Sequence, residues 1–484
     1  MEAGRPTAKM SAVTVSMIIV VTTFGIANVI DNLVEVGLAA IPSWFAVGVL
    51  YFLPLALILA EFASDDRRSG GGIYGYMERG LGPTWAFVGT WSYFVANLVY
   101  LQSVFSRLPI RVSLAVTGRD VFEATTGILP LLGLVVCAGI TYIASRGVGF
   151  FSRIADWLGK ATLVLVGALI AVPILVVLFG VRGPATPFSP EAMFPRLDLD
   201  YFSTFSWLLF AVAGAEVAAP YVRQTENPER NFPRAILFST LLIAAVYILA
   251  TVAVAFAIPL ESLTKATGLY DIWLPWASMV GLPGPVIGRL AMIVIVSGSI
   301  GAYVVWVESP LRAMFADLPR GTFPERLTRR DAEGTHHQAL RLQALVVSLL
   351  ILIPLLSILT GLSGSEDFIS LLNDLASLSL VIPYVFIALA YIRARRQGMD
   401  APFKMARSTS VAVTVGAVVV AVSAAGYLGA GLYALEGDPV DWIYVGIVYG
   451  GPILLTGLGL LLRWASLRAH GRRVLAGPGG SGSP

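Results

Sequence analysis

The chain is 484 residues long, 56% hydrophobic and only 13% charged, with a formal net charge of +3. That balance excludes a soluble globular protein, since so few polar side chains could not give such a chain a wet surface. The single cysteine, Cys137, excludes an intrachain disulfide and a thiolate metal site, and the three histidines, His336, His337 and His470, fall in loops, which excludes a histidine proton relay across a membrane.

A hydrocarbon core about 30 Å thick calls for roughly 20 mostly apolar residues per helix. Twelve such stretches follow in chain order, at about 10–37, 42–62, 82–106, 127–145, 157–180, 201–222, 234–258, 286–308, 341–362, 371–392, 410–433 and 442–463. No short strands of alternating polarity occur, which argues against an outer-membrane barrel. The expected fold is an all-α polytopic membrane protein of 12 transmembrane helices. Residues 1–9 read as a polar cytoplasmic tail, and the full-length span that follows them makes a cleaved signal peptide unexpected. Residues 466–484 read as a second cytoplasmic tail, disordered at "GPGGSGSP".

Most of the 33 Lys and Arg fall on one side if each stretch crosses once, among them Arg67, Arg68, Arg146, Arg326, Arg329, Arg330, Arg393, Arg395 and Arg396. The other side carries the acids Glu366, Asp367, Glu436, Asp438 and Asp441. The excess of cations marks the cytoplasmic side, so both termini are placed there and the protein in the cell membrane. The positive net charge is then a feature of topology and implies no nucleic-acid partner. No soluble domain interrupts the chain. The connection from Asp317 to Arg341 has room for a short helix at most, and the outer connection from Ile258 to Pro285 contains "LYDIWLPW", which suits a short interfacial helix.

The first span reads "TTFGIANVIDN" over residues 22–32, placing threonines, a glycine, an asparagine and an acid in mid-membrane. The sixth reads "YFSTFSWLLFAVAGAEVAAPYV", with "FAVAGAE" at its centre. Broken backbone at that depth persists only where protein buries it or a watery cavity borders it. Gly25 or Gly214 alone would suit close helix packing equally well. The matched pair favours two interrupted helices. They lie five spans apart, and because five is odd, the second five-helix unit would run inverted relative to the first.

Three segments resemble the amino acid-polyamine-organocation superfamily: "GGGIYGYMERGLGPTWAFVGTW", "FAVAGAEVAAPYVRQTENPERNFPRAI" and "SIGAYVVWVESPLRAMFADLPRGTFPERL". Within it, "WAFVGTW" and the spacing from Trp306 to Arg312 are most similar to the glutamate:GABA antiporter branch. The resemblance implies a five-plus-five inverted repeat of the LeuT-like type, with residues 10–180 as the first repeat and 200–393 as the second. Discontinuous helices 1 and 6 belong to that arrangement, and residues 410–465 add two further helices.

An amino acid presents a carboxylate and an ammonium, and burying either without a partner costs several kcal/mol. A broken helix supplies both partners from its backbone, free N–H groups at a half-helix N-terminus and free carbonyls at a C-terminus. The resemblance places substrate contacts on Thr23, Phe24, Gly25, Ile26 and Ala27 of span 1 and on Phe210, Ala211, Val212, Ala213 and Gly214 of span 6. It also makes Phe210 an aromatic gate and matches Tyr303 to an aromatic site position. Asn97 lies mid-span, where its amide must bond a neighbouring helix or a ligand. Glu216 is an intramembrane acid and so a functional candidate, read as a structural gate beside the break. Lys160 is either a coupling group or a lysine snorkelling to headgroups. Asp31 and Glu35 are expected in a solvated outer vestibule beside Asn28 and Asn32, and Arg107 and Arg111 too far outward to reach a central cavity. In "QTENPERNFPRA", Pro233 is expected in the first turn of helix 7.

The function these readings predict is secondary active transport of amino acids or related amines, by exchange or proton symport, with alternating access. A transport-inactive sensor or a subunit of a larger complex is the alternative. An enzyme is not expected, because the spans lack paired carboxylates or a nucleophile–base set. No cofactor or metal is implied. The partners are a small-molecule substrate and the lipid bilayer, with the protein a monomer or weak homodimer.

Overall fold

The computed structural model describes residues 10–65, 72–122, 126–146, 148–214, 216, 222, 225–316, 318–319, 321–331, 335–360, 365–430, 432–435 and 442–476. The tail 1–9, the extreme C-terminus, Arg67, Arg68, Glu436, Asp438 and Asp441 lie outside the described residues, as do the side chains of Glu366, Asp367 and Arg312.

The first span is two helices. Helix α1 (Ala12–Thr23) starts at Ser11, whose hydroxyl accepts from the Thr14 amide, and stops at Thr23. Phe24 (φ −75°, ψ 123°) and Gly25 (φ −127°, ψ 116°) are extended, and α2 (Ile26–Val36) then resumes. Two β-branched threonines followed by glycine make a weak helical segment, so little propensity is lost by opening it. Ile26 and Ala27, expected in the break, are already helical because the interruption needs only two extended residues to redirect the chain.

The second span is a continuous rod of α3 (Ala40–Val47), a π-helical turn at Gly48–Phe52 and α4 (Leu53–Ser64). Pro54 has no N–H for the carbonyl four residues earlier, which is the circumstance in which a turn widens. A short helix α5 (Ile73–Leu81) leads into α6 (Pro83–Thr117), followed by α7 (Leu129–Ser145), α8 (Val148–Leu178) and the single turn α9 (Pro190–Met193).

Helix α10 (Leu199–Ala211) ends in mid-span, and Val212 to Gly214 leave helical geometry. Helix α11 (Pro228–Ala257) starts directly at Pro228 behind Asn227, which adopts a left-handed φ of 44°. Pro228 takes the first helical position, where a missing N–H costs nothing. Pro233 therefore sits inside the helix, one turn later than expected.

The connection after α11 carries two short helices, α12 (Gly268–Asp271) and α13 (Trp273–Met279), before α14 (Gly284–Ala316). Trp273 is fully buried, so α13 is packed into the protein instead of floating at an interface. Then follow α15 (Glu325–Thr328), α16 (His337–Thr360), α17 (Ser365–Arg396), α18 (Thr409–Gly429) and α19 (Trp442–Ala476).

Among the described residues eight helices are long and apolar enough to cross a membrane, and Leu129–Ser145 is a shorter apolar one. Side chains such as Val164 at 73% and Leu454 at 75% exposure stand on the outside of the helices. A surface of this kind is stable against lipid tails and unstable against water.

The middle of the molecule is formed where α6 packs on α14 and α17, and α1 packs on α11. Near the C-terminal ends of their helices, Glu61 of α4 and Arg395 of α17 make a buried ion pair at 2.9 Å. Tyr391 Oη and the Met405 amide also donate to Glu61, at 2.6 and 3.0 Å, and Arg395 donates to the Ala406 carbonyl at 2.6 Å. Arg395 thus has a structural role besides its place among the cations of that end of the chain's helices.

Candidate functional site

The ends of α1 and α10 leave orphan backbone groups facing one another, and one side chain from α11 meets them. Tyr247 Oη lies 2.9 Å from the Ala211 carbonyl and 3.2 Å from the Thr23 carbonyl, and its single proton can be donated to either. It accepts from the Gly25 amide at 3.2 Å and from Asn28 Nδ2 at 3.1 Å. The ring is fully buried, stacked on Trp44 with centroids 4.3 Å apart. A helix that stops in mid-membrane must have its last carbonyls satisfied, and here one phenol lies within reach of both stops. Trp306 of α14 adds a further tie, its Nε1 donating to the Thr22 carbonyl at 3.2 Å.

Gly214 holds the two breaks together. Its φ of +137° suits only glycine, and a Cβ there would collide with Thr23. Close packing on Thr23 and departure from helical geometry thus coincide at this one glycine.

Two adjoining cavities open beside the breaks, sharing Thr22, Thr23, Asn28, Tyr100, Phe210 and Trp306 as walls. The larger has a volume of about 170 Å³ and is also lined by Asp31, Arg107, Arg111, Trp207 and Tyr303. Arg107 Nη1 lies 3.7 Å from Asp31 Oδ2, and Arg111 Nη1 donates to Tyr303 Oη at 2.9 Å. The smaller, about 50 Å³, adds Tyr93, Asn97, Ala211, Ala213 and Leu380. Between them stands an aromatic group, Tyr100 packing on Phe210 at 5.5 Å and on Trp306 at 5.4 Å. A third space of about 100 Å³ lies behind Gly25, bordered by Ile26, Thr162 and Arg111.

Asn97 is 3% exposed, and neither atom of its amide has a hydrogen-bond partner within the protein. Thr23 Oγ1 is in the same condition. A buried polar group left unsatisfied costs about 1–3 kcal/mol, so these atoms are suited to a polar occupant of the small cavity. Glu216 is buried, and its Oε2 accepts from the Gly214 amide at 3.1 Å. The phenols of Tyr51, Tyr93 and Tyr384 lie within its electrostatic reach.

Of the residues singled out from the sequence, Thr23, Phe24, Gly25, Ala27, Asn97, Phe210, Ala211, Ala213 and Tyr303 line one or other of the two joined cavities, and Ile26 the third. Val212 and Gly214 shape the break without lining these spaces. Lys160 is exposed on α8 and lines none of the three, whereas its neighbours Gly159 and Thr162 do line the third.

Two expectations are overturned. Arg107 and Arg111 reach the larger cavity, because arginine side chains extend far from the α6 backbone. Asp31 is a wall of that cavity with a side chain 13% exposed, not a solvated vestibule group. Nothing in the sequence singles out Tyr247. It sits in the apolar run "AAVYILA", typical of any span, and its only signal is that a buried tyrosine hydroxyl must find a partner.

The sequence profile of the amino acid permease family matches residues 9–452. The aspartate/glutamate permease AcaP of Lactococcus lactis is 26% identical over 426 residues, covering 85% of this chain and 85% of that protein. The inner membrane transporter YjeM of Salmonella typhimurium is 28% identical over 500 residues, covering 97% of this chain and 98% of that one. The crystal structure of MhsT in complex with L-phenylalanine superposes with a TM-score of 0.60 at 18% identity, over 87% of this chain and 98% of that one, which shows a shared fold.

Proposed function

The chain belongs to the amino acid permease family, and from that premise we propose that it carries amino acids across the cell membrane as a secondary active transporter. The proposed architecture is twelve spans in two inverted five-helix repeats followed by two helices, with both termini cytoplasmic. Alternating access then works by movement around the joined breaks of spans 1 and 6. Thr23 to Ala27, Asn97, Phe210 to Gly214 and Tyr303 form or shape the substrate site. Phe210 and Glu216 serve as gates, and Lys160 stays outside the binding cavity.

The observation that carries this reading is the juxtaposition of two interrupted helices with a cavity of about 170 Å³. That space is well below the several hundred Å³ of a drug-sized pocket and suits a small metabolite. The charges on its wall refine the substrate. Arg107 and Arg111 against Asp31 leave one cation in excess among the charged lining residues, and a half-buried excess charge favours a counter-charge. An amino acid with a carboxylate side chain supplies it, whereas an amine would worsen the imbalance. The relative AcaP, named for aspartate and glutamate, is in keeping with that preference.

Uptake of radiolabelled glutamate, aspartate, glutamine and putrescine into proteoliposomes tests the proposal, with and without internal amino acid and with an imposed pH gradient. Uptake stimulated by internal substrate marks exchange, and uptake driven by the gradient marks proton symport. Absence of uptake for all amino acids, from protein that is folded and inserted, would overturn the transport reading.

A further inference from the structure

Helix α19 is 35 residues long, about 52 Å, and so outruns a hydrocarbon core of about 30 Å. Residues 442–462 carry no charge, Arg463, Arg468, Arg472 and Arg473 follow, and no acid occurs anywhere in the helix. One face is packed on the protein. Trp91 Nε1 donates to the Leu455 carbonyl at 2.8 Å, Arg463 lies over the Phe87 ring at 5.2 Å, and Ser466 Oγ donates to the Gly321 carbonyl at 2.8 Å. Positions 450, 454, 457, 461, 464 and 468 recur every three or four residues and share another face. There Leu454, Leu461 and Trp464 are exposed, and a side-chain carbon at Gly450 or Gly457 would touch no described residue. The face is therefore an apolar strip, dented at its glycines, and it ends where the exposed Arg468 lies over the Trp464 ring, 3.7 Å from the centroid.

We propose that this face of α19 holds an anionic phospholipid, with an acyl chain along the dented strip and the phosphate on Arg468. Tryptophan settles at the level of the headgroups, and its ring keeps the guanidinium there with the N–H edge free to bind. That edge matches phosphate oxygens in pairs. A second copy of the chain fits the strip poorly. Two parallel copies meeting through this face would set each Arg468 beside its counterpart, and α19 has no acid to offset the like charges. A lipid phosphate supplies that offset. The packed face of the same stretch holds Gly321, so a lipid on the outer face also steadies the connection that follows α14. The inference needs α19 to lie in a membrane and does not depend on what is transported.

The test titrates delipidated full-length protein in non-ionic detergent with phosphatidylglycerol or with phosphatidylcholine. Native mass spectrometry counts the bound lipid while the melting temperature is followed. Phosphatidylglycerol is expected to bind the wild type about fivefold more tightly, the margin of one cation against an anionic headgroup, and to raise the melting temperature. Arg468→Gln is expected to erase that margin and Arg468→Glu to reverse it. Arg196→Gln, at an exposed arginine before α10, should leave it intact. Equal binding of the two lipids by the wild type, or an unchanged margin in Arg468→Gln, overturns the proposal. A dimer that tightens in Arg468→Gln would assign the face to a second copy, and displacement of phosphatidylglycerol by glycerol 3-phosphate would assign Arg468 to a soluble phosphate. Either result also overturns it.

Discussion

Arg111 Nη1 donates to Tyr303 Oη at 2.9 Å, so a cation from α6 and a phenol from α14 meet on one wall of the larger cavity. The phenol is neutral and leaves the guanidinium charge uncompensated by its own partner, while Arg107 faces Asp31. That arrangement singles out Arg111 as the group that reads substrate charge. Replacing Arg111 by Gln is expected to weaken glutamate binding by about 10- to 100-fold, the range for a charge-assisted hydrogen bond. Glutamine binding should change less than about threefold in the same titration, because no charged partner is lost.

Removing the aromatic partition should act on retention. Phe210→Ala deletes the ring that packs on Tyr100 between the two cavities. Loss of roughly 2 kcal/mol of apolar contact should raise the rate of substrate release more than tenfold, with expression intact. Washout of pre-bound labelled substrate measures it, and an unchanged rate would count against Phe210 as a gate.

Close approach of the breaks depends on the absence of one methyl group. Gly214→Ala forces a Cβ onto Thr23 at a backbone angle unsuited to an L side chain. A cost of about 1–3 kcal/mol from overpacking alone is expected. The variant should show a lower melting temperature in detergent and little or no uptake. Thr23→Ala combined with it removes the obstructing hydroxyl and should recover part of the stability.

The Glu61–Arg395 pair is enclosed, and both carboxylate oxygens and both terminal guanidinium nitrogens have partners, so its loss on one side only should be severe. Glu61→Gln leaves the guanidinium buried beside a neutral amide. Destabilisation of about 3–5 kcal/mol is expected, read as early unfolding by fluorescence-detected size exclusion. The double substitution Glu61→Leu with Arg395→Met should recover much of it, because no uncompensated charge remains.

The all-helical, apolar class and the places where α1 and α10 stop were legible in composition and local sequence, because each depends on hydropathy and backbone preference within a few residues. The low helix propensity of "TTFG" and the glycine at 214 are written in the chain, and so is the mid-span amide of Asn97. Which side chains meet at the breaks was not. Tyr247 lies more than 200 positions from Thr23 in the chain, as the separations of its bonds to span 1 record, and in sequence it is one aromatic in an apolar run. The reach of Arg107 and Arg111 into the cavity, and the enclosure of Glu61 by Arg395, Tyr391 and Met405, likewise follow from how distant helices cross. Hydropathy and propensity act along the chain, whereas pairing of buried charges and orphan backbone groups acts across it, and only the packed helices decide which partner each one finds.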